Sequence, residues 1–467
     1  MNYIIQRIAE KVKSEIEENV IKILEGDLNL DRMVDSVGEM VNDIGIKTLL
    51  AVTEELNDVI KQAPQRKGRY HLHKSSVERT LVTRFGEFTF ERAYYKNIEE
   101  NSYVYILDEL LDIHKYERIE GNLKGEILDK AADFSYQKAS NLSSPVAITR
   151  ESVKKIIREN GAIGNLELET KKKKVVDTIY IEADEDHVAL QNGQGKKMKL
   201  IYVYDDRVQV SKGRVELKNK RYFTGEMDPE DMWTEVATYL YRAYDLEKAN
   251  KIYIAGDGAN WIRRGTEFIK DSLYVLDHYH LSKHINTLST HLENLEEPLC
   301  IAEPLWDLCR NNKKEFAIEL MNLAIKETPS LSKKESMRKA KRTMVNCWEG
   351  IINLFGEEKY KCSAEGHVSH ILSARLSSRP MGWSVVGADE MARMRAYKAS
   401  GGNLKEYYSY HRVRRKEEER IIEFDKRVLA RGKNSYKSID PDKMIDMPYL
   451  SKADGKWLKK ALRASGF

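Results

Sequence analysis

The chain has 467 residues, 41% hydrophobic and 33% charged, with 78 basic against 74 acidic side chains and a formal charge of +4. That length allows roughly two to four domains with substantial cores, and the near balance of charge excludes a whole-protein field strong enough by itself to announce a nucleic-acid partner. No apolar run approaches the roughly 20 residues that cross a bilayer, which excludes a membrane-spanning helix, and the opening residues read as a mixed-charge amphipathic helix rather than a signal peptide, so a cytoplasmic protein is expected. Cys300, Cys309, Cys347 and Cys362 show no C-x-x-C spacing and read as reduced thiols. The basic runs Lys171 to Lys174, Lys333 to Arg342 and Arg412 to Arg420 each read, taken alone, as solvated surface.

Residues 1–70 form a helical N-terminal region, with apolar positions at helical spacing: Ile5, Ile8, Val12 and Ile16, then Met33, Val37, Met40, Val41 and Ile44. Residues 78–97 alternate around Phe85-Gly86-Glu87, the pattern of a β-hairpin. Residues 98–165 contain a helix-turn-helix pattern: Leu123 to Phe134, Tyr136 to Leu142, a break at Ser143-Ser144-Pro145, and a third helix opened by Thr149 as N-cap. In a DNA-binding version the last helix enters the major groove and presents Arg150, Ser152, Lys154 and Lys155. Helical bundles use the same geometry without DNA, so both readings stand at this point.

A core begins near residue 175, and its first part spans 175–285. Asp177 to Asp184, Met198 to Tyr204 and Arg207 to Val215 read as three strands. Asp228-Pro229-Glu230-Asp231 supplies an N-cap, a proline at N1 and first-turn acids for a helix through Met232, Val236, Leu240 and Ala243. Ile252 to Ala255 is a buried strand that stops at the turn Gly256-Asp257-Gly258; a helical segment follows, then Leu273 to Leu276, which ends in Asp277. The fold class is therefore multi-domain α/β, and the order β-β-β-α-β-α-β is that of a ribonuclease H-like core. In that fold the first and fourth strands are neighbours, so the acid on Asp184's strand and Asp257 would lie side by side.

Two adjacent carboxylates repel, and a hard divalent cation such as Mg2+ relieves the repulsion. Two such ions can activate the attacking oxygen and stabilise the leaving one in a phosphoryl displacement. A third acid is required, and Glu365 is the candidate, on a helix that Ser363 caps and that ends before Pro380; His367, His370, Arg375 and Arg379 are placed to contact phosphates. Residues 286–356 form an all-helical insertion, including a run opened by the capping box Ser332 to Glu335 and reaching Phe355. Trp306 and Trp348 within it read as core residues. Residues 357–398 complete the core with the third acid, and 399–467 form a C-terminal helical basic region.

The tracts YIEADEDHVALQ, YIAGDGANWI, LDHYHLSKH and SAEGHVSHILSARLSSRPMGWS resemble bacterial insertion-sequence transposases of the ISLre type, a family with members otherwise described only as uncharacterised proteins. The likeness covers nearly the whole chain. More distantly, Asp257-Gly258-Ala259 with Asp277-x-x-His280 is similar to signatures of Mutator-type transposases. The resemblance implies a DDE transposase that cuts and joins phosphodiesters, with Asp184, Asp257 and Glu365 as ligands of Mg2+, for which Mn2+ substitutes, and with Asp277 and His280 as a supporting pair. It implies DNA partners, namely the element's terminal repeats and target DNA, a homo-oligomer on DNA, and a place at the bacterial nucleoid. Asp184 is preferred as first ligand because it ends the apolar strand; Asp186 shares its face by period-two alternation, and Glu182, also on that face, ranks last because the family pattern asks for aspartate.

Histidines 278, 280 and 284 suggest zinc only superficially, since no glutamate stands between His280 and His284 in H-E-x-x-H fashion. A domesticated DNA-binding regulator and a ribonuclease H-like nuclease that hydrolyses without joining are the alternatives.

Overall fold

The computed structural model describes residues 2–170, 173–211, 214–290, 292, 299–356 and 362–414. It is mixed α/β, in two compact units, Met1–Ile156 with Lys405–Phe467, and Ile157–Leu404.

In the first unit, helix α1 (Asn2–Leu24) precedes α2 (Leu30–Gln62), which starts where the Asn29 side chain accepts the Arg32 N–H at 3.0 Å. Strands β1 (Tyr70–Thr83), β2 (Gly86–Asn97) and β3 (Ser102–Val104) form an antiparallel sheet in that order. The turn needs Gly86, whose φ of 131° is open to glycine. Inward residues Leu81, Phe88, Phe90 and Tyr95 make the core with Ile60 of α2, and Asn57 of α2 accepts the Ala93 N–H at 3.0 Å. The first strand begins at Tyr70, well before the start expected from alternation, because its first half is solvent-exposed and its register shifts twice between Leu72 and Val77. Helices α3 (Gly121–Asp133) and α4 (Tyr136–Ser143) follow, capped by the side chains of Glu120 and Ser135. Ser140 Oγ holds both the carbonyl and the N–H of Ile148, fixing the connection to α5 (Arg150–Asn160). Thr149 Oγ1 accepts the Ser152 N–H at 3.2 Å at the start of that helix.

The second unit is built on a five-stranded sheet. Its strands are β4 (Thr178–Ala189), β5 (Gly195–Tyr204), β8 (Arg221–Thr224), β9 (Lys251–Gly256) and β10 (Ser272–Leu276), and its order is β10-β9-β4-β5-β8. β4, β5 and β8 pair antiparallel; β9 pairs parallel with β4, and β10 parallel with β9. The hairpin β6 (Asp206–Ser211) and β7 (Arg214–Lys218) is a separate two-stranded sheet. The expected third strand, Arg207 to Val215, is thus a correction: Val208, Val210 and Val215 are exposed, and the third place in the main sheet goes to the four buried residues of β8, a run too short to stand out by periodicity.

One face of the sheet carries Ile179, Ile181, Ala183, Ile201, Val203 and Phe223, in one core with Met232, Trp233, Val236 and Leu240 of α6 (Pro229–Ala243). Helices α7 (His278–Ser289), α8 (Ala302–Arg310), α9 (Lys314–Glu327), α10 (Leu331–Asn346) and α11 (Trp348–Leu354) add Leu281, Leu305, Met321, Met337 and Ile351 to the same core. The single run expected from Ser332 to Phe355 breaks at Cys347, and Ser330 rather than Ser332 occupies the N-cap of α10. Gly350 lets α11 lie on β10, since a Cβ there would come within 2.5 Å of the Tyr274 ring. Helix α12 (Ala364–Val368) leads through a π turn, Ser369–Ser373, to the short helix Ala374–Leu376, and α13 (Val385–Ala399) follows. Of the C-terminal region, residues 415–467 lie outside the described residues, as do Lys171 and Lys172.

Candidate active site

The parallel pairing of β4 with β9 brings two acids to one edge of the sheet. Gly256 ends β9 where a Cβ would stand 2.7 Å from the Ala183 carbonyl, so the two strands approach closely just before Asp257. Gly258, at φ +96°, turns the chain away, and Asp257 Oδ1 accepts the Ala259 N–H at 2.8 Å within that turn.

On β4, Glu182, Asp184 and Asp186 share a face, and each carboxylate has its own surroundings. Glu182 is fully buried. It accepts hydrogen bonds from the hydroxyls of Tyr202 and Tyr204 and, through Oε2, from the Ser363 N–H at 2.7 Å, with Arg207 3.6 Å away. Asp186 accepts from Ser377 Oγ at 2.8 and 3.0 Å. Asp184 accepts the Glu185 N–H at 2.8 Å. Burial, together with the charge of Asp257, pushes the Asp184 carboxyl up to about 6 against that hydrogen bond and the attraction of His280.

Asp277 follows β10 and caps α7, accepting the Tyr279 N–H at 3.3 Å through Oδ1 and lying 2.9 Å from His280 Nδ1 through Oδ2. That bond raises the His280 pKa over the opposing effect of burial, and the charges of Asp277, Asp257 and Asp184 add to the rise. Asp184, Asp257, Asp277 and His280 therefore share one electrostatic field. Lys197 of β5 reaches it too: its ammonium bonds Glu185 and is further stabilised by Asp257.

The remaining sequence candidates have surroundings of their own. Glu365 is exposed on α12, and among the described residues no group of three or more His, Cys, Asp or Glu side chains is arranged to hold a metal ion. Ser363 spends its hydroxyl on Glu182 and Tyr202 rather than on capping α12. His367 accepts or donates at 2.7 Å with the Tyr222 hydroxyl and stacks on Tyr202 at 4.2 Å, and burial lowers its pKa to about 4, so it is a neutral packing ring. Arg375 is buried with its guanidinium 5.0 Å from the Trp383 ring, whereas His370 and Arg379 are exposed. On α5, Arg150, Lys154 and Lys155 are exposed and Ser152 is half-buried, its hydroxyl 3.0 Å from that of Thr149. His278 stacks on Trp306 at 5.2 Å, and burial lowers the His284 pKa.

The sequence pattern ranks Glu182 last and does not single out Tyr202, Tyr204, Ser377 or Lys197. The alternation Tyr202-x-Tyr204 opposite Tyr180-x-Glu182 is the available signal, legible only once the β4–β5 register is known.

A family model described as "Uncharacterised protein family (UPF0236)" matches residues 23–412. Several relatives come from Caldanaerobacter subterraneus subsp. tengcongensis. One, a UPF0236 protein whose name joins eleven loci of that bacterium, is 38% identical over 82% of this chain and 81% of its own length. Another UPF0236 protein, named for a single locus, is 38% identical over 83% of this chain and 84% of its own. Among solved structures, the "Drosophila P element transposase strand transfer complex" aligns at 13% identity over 65% of this chain and 84% of that chain, with a TM-score of 0.24, below what a shared fold produces.

Proposed function

This chain belongs to the uncharacterised protein family UPF0236, and we propose that it is the DNA transposase of an insertion sequence of the ISLre type, cutting and joining phosphodiesters at a DDE site. The observation that carries the reading is the strand order: three antiparallel strands, then two parallel ones, with Asp184 on the first strand and Asp257 just past the fourth, beside it. That order supports a ribonuclease H-like core. The eleven loci joined in one relative's name fit a sequence that copies or moves itself within a genome.

The carboxylate pair has the donor chemistry of a site for a hard divalent cation: two sets of oxygen ligands, of which burial and the charge of Asp257 push the Asp184 carboxyl up to about 6. Asp184 and Asp257 would hold Mg2+ or Mn2+, with Glu365 as third ligand. The ion, when bound, would supply activation of the attacking hydroxyl and stabilisation of the leaving oxygen. The chain's own groups do the rest. Asp277 fixes the His280 ring and favours its protonated form, which would supply a proton donor and positive charge to a leaving 3′ oxygen. Ser363, bonded to Glu182, ties the start of the Glu365 helix to β4.

DNA contact is assigned to two basic surfaces. In α5, Arg150, Lys154 and Lys155 are solvent-facing at the end of a three-helix array of helix-turn-helix form. Helix α10 carries six basic side chains against one acid, and its C-terminal end meets the catalytic turn, where a Gly258 Cβ would lie 3.2 Å from Thr343 Cγ2. No described helix is long and apolar enough to cross a membrane, and a protein assembled as a homo-oligomer on nucleoid DNA follows from the reading.

The test is cleavage of labelled duplex DNA carrying the ends of the element that encodes the protein, with Mg2+, Mn2+ or EDTA. Wild type should nick the DNA in either metal, and Asp257→Asn and Glu365→Gln should each lose roughly 100-fold or more, since even groups that only orient metal ligands are worth about 10- to 100-fold. Nicking that persists in EDTA or in Asp257→Asn would refute the assignment.

A further inference from the structure

A cavity of about 370 Å³ opens beside the turn that carries Asp257. Glu230 and Trp233 of α6 form one wall, and Asn260, Trp261, Arg264 and Phe268, from the segment after β9, form the other. Trp233 is fully buried and rigidly seated: its indole N–H donates to the Trp261 carbonyl at 2.8 Å, and Gly265 lies so close that a Cβ would come within 2.6 Å of its ring. Trp261 is half-buried, and its indole nitrogen has no acceptor among the described residues. Its ring is held by packing and by the Lys199 ammonium, 5.9 Å from the ring centroid.

The polar rim is internally neutralised. Arg264 donates to Glu230 at 2.8 Å and to Glu267 at 3.2 Å, and the Asn260 side-chain oxygen accepts from Arg263 at 3.1 Å. A cavity whose one lining cation, Arg264, already faces two carboxylates does not attract a phosphate. It suits a neutral planar ring that stacks on an aromatic face and offers donors and acceptors along its edge.

One ammonium stands at the cavity, that of Lys199 over the Trp261 ring. Lys197, two residues before it on β5 and so on the same face, is paired with Glu185 and lies within the field of Asp257. A strand laid across this edge would meet carboxylates suited to a divalent cation and its phosphate, the Lys199 ammonium suited to a neighbouring phosphate, and an aromatic slot a few residues along the chain from Asp257.

We propose that this cavity receives an unpaired nucleobase of the strand whose phosphate lies at Asp184 and Asp257, stacked on Trp261. The inference rests on the transposase reading for its substrate and adds to it that the DNA end is unpaired or unstacked at the site. Stacking of one base on an aromatic side chain corresponds to roughly 5- to 150-fold in affinity.

The experiment uses the full chain in EDTA, so that no chemistry occurs, and two fluorescein-labelled duplexes of the same sequence, one blunt and one with a single-stranded thymidine flap at one 3′ end. The readout is the ratio of the two affinities by fluorescence anisotropy. Wild type should favour the flapped duplex by about 10-fold, Trp261→Phe should keep most of that preference, and Trp261→Ala should bring the ratio close to one, with circular dichroism showing both variants folded. Equal affinity of wild type for the two duplexes, or a ratio unchanged in Trp261→Ala, overturns the cavity's assignment and leaves the transposase reading standing. Binding of neither duplex overturns both. Because cleavage is not measured, loss of activity from an error in the metal ligands cannot imitate any of these results.

Discussion

Glu182, Asp184 and Asp186 point from one face of β4, yet their carboxylates do unlike things. Glu182 is the acceptor for two tyrosine hydroxyls and for the backbone that starts α12, all out of reach of solvent. Replacing it with alanine would take the acceptor from those donors, and removing one partner from a buried hydrogen-bonded group in this way costs about 3–5 kcal/mol. Urea denaturation of Glu182→Ala should show a loss of that size, and Glu182→Gln, which can still accept, a smaller one. Asp184 has the opposite sign. Its carboxyl titrates at about 6 in the folded protein against an ordinary value of 3.8, so the native state keeps a proton that the unfolded chain releases, and stability falls as pH rises through that window. Without metal, Asp184→Asn should therefore be more stable than wild type at about pH 7.5 and no more stable at about pH 3.5, below both values, where the carboxyl is largely neutral in either state. The gain should be roughly 1–2 kcal/mol after allowance for solvent screening, and Mg2+ should stabilise wild type alone. Thermal melts in EDTA and in Mg2+ check both statements. Period-two alternation makes the shared face of these acids legible in the sequence. What distinguishes them is not legible there, because the deciding partners, Ser363 and Ser377, lie 181 and 191 residues away.

Among the elements, those with strong local signals are the readable ones. Thr149 at the head of α5 and the proline that opens α6 act within one turn of chain, so their physics is local. The exposed hairpin β6–β7, the four-residue β8 and the π turn after α12 have no such signature; tertiary packing decides them. Glu117 holds the loop before α3 by accepting the His114 N–H at 3.0 Å and facing Lys124 and Arg412, each at 3.0 Å. Burial would raise its pKa, but those partners outweigh burial and lower it. Its contribution is therefore present above the ordinary glutamate range and fades as pH falls through the lowered value. Glu117→Gln should be less stable than wild type at about pH 7, with the difference shrinking below about pH 4, as denaturant titrations at the two pH values would reveal. For α10, reversing Arg338 and Arg342 to glutamate should weaken DNA binding at every sequence and reduce the slope of log affinity against log salt by about 0.9 for each phosphate the helix no longer neutralises; anisotropy across a salt series measures that slope. An unchanged slope would remove α10 from the DNA surface.

At the scale of the whole molecule, the chain's sheet places Asp184 and Asp257 on neighbouring strands because β9 inserts beside β4 in parallel after α6 crosses the sheet. The β-α-β stretch around Asp257 is readable from apolar runs that end in acids. The helical segment between β10 and α12 is readable as helices, but not its merger with the sheet's own core, since that depends on which apolar faces meet. If the edge carrying Asp184 and Asp257 transfers a phosphodiester to a DNA 3′ hydroxyl, strand joining is the reaction to measure. Pre-cut element ends with either a 3′ hydroxyl or a 3′ deoxy terminus would be mixed with plasmid target and Mg2+, for wild type and Asp257→Asn. A transposase of this kind yields covalent joined products from wild type with the 3′ hydroxyl end alone, and none from Asp257→Asn. Joined products from the 3′ deoxy end, or undiminished joining by Asp257→Asn, would contradict that assignment.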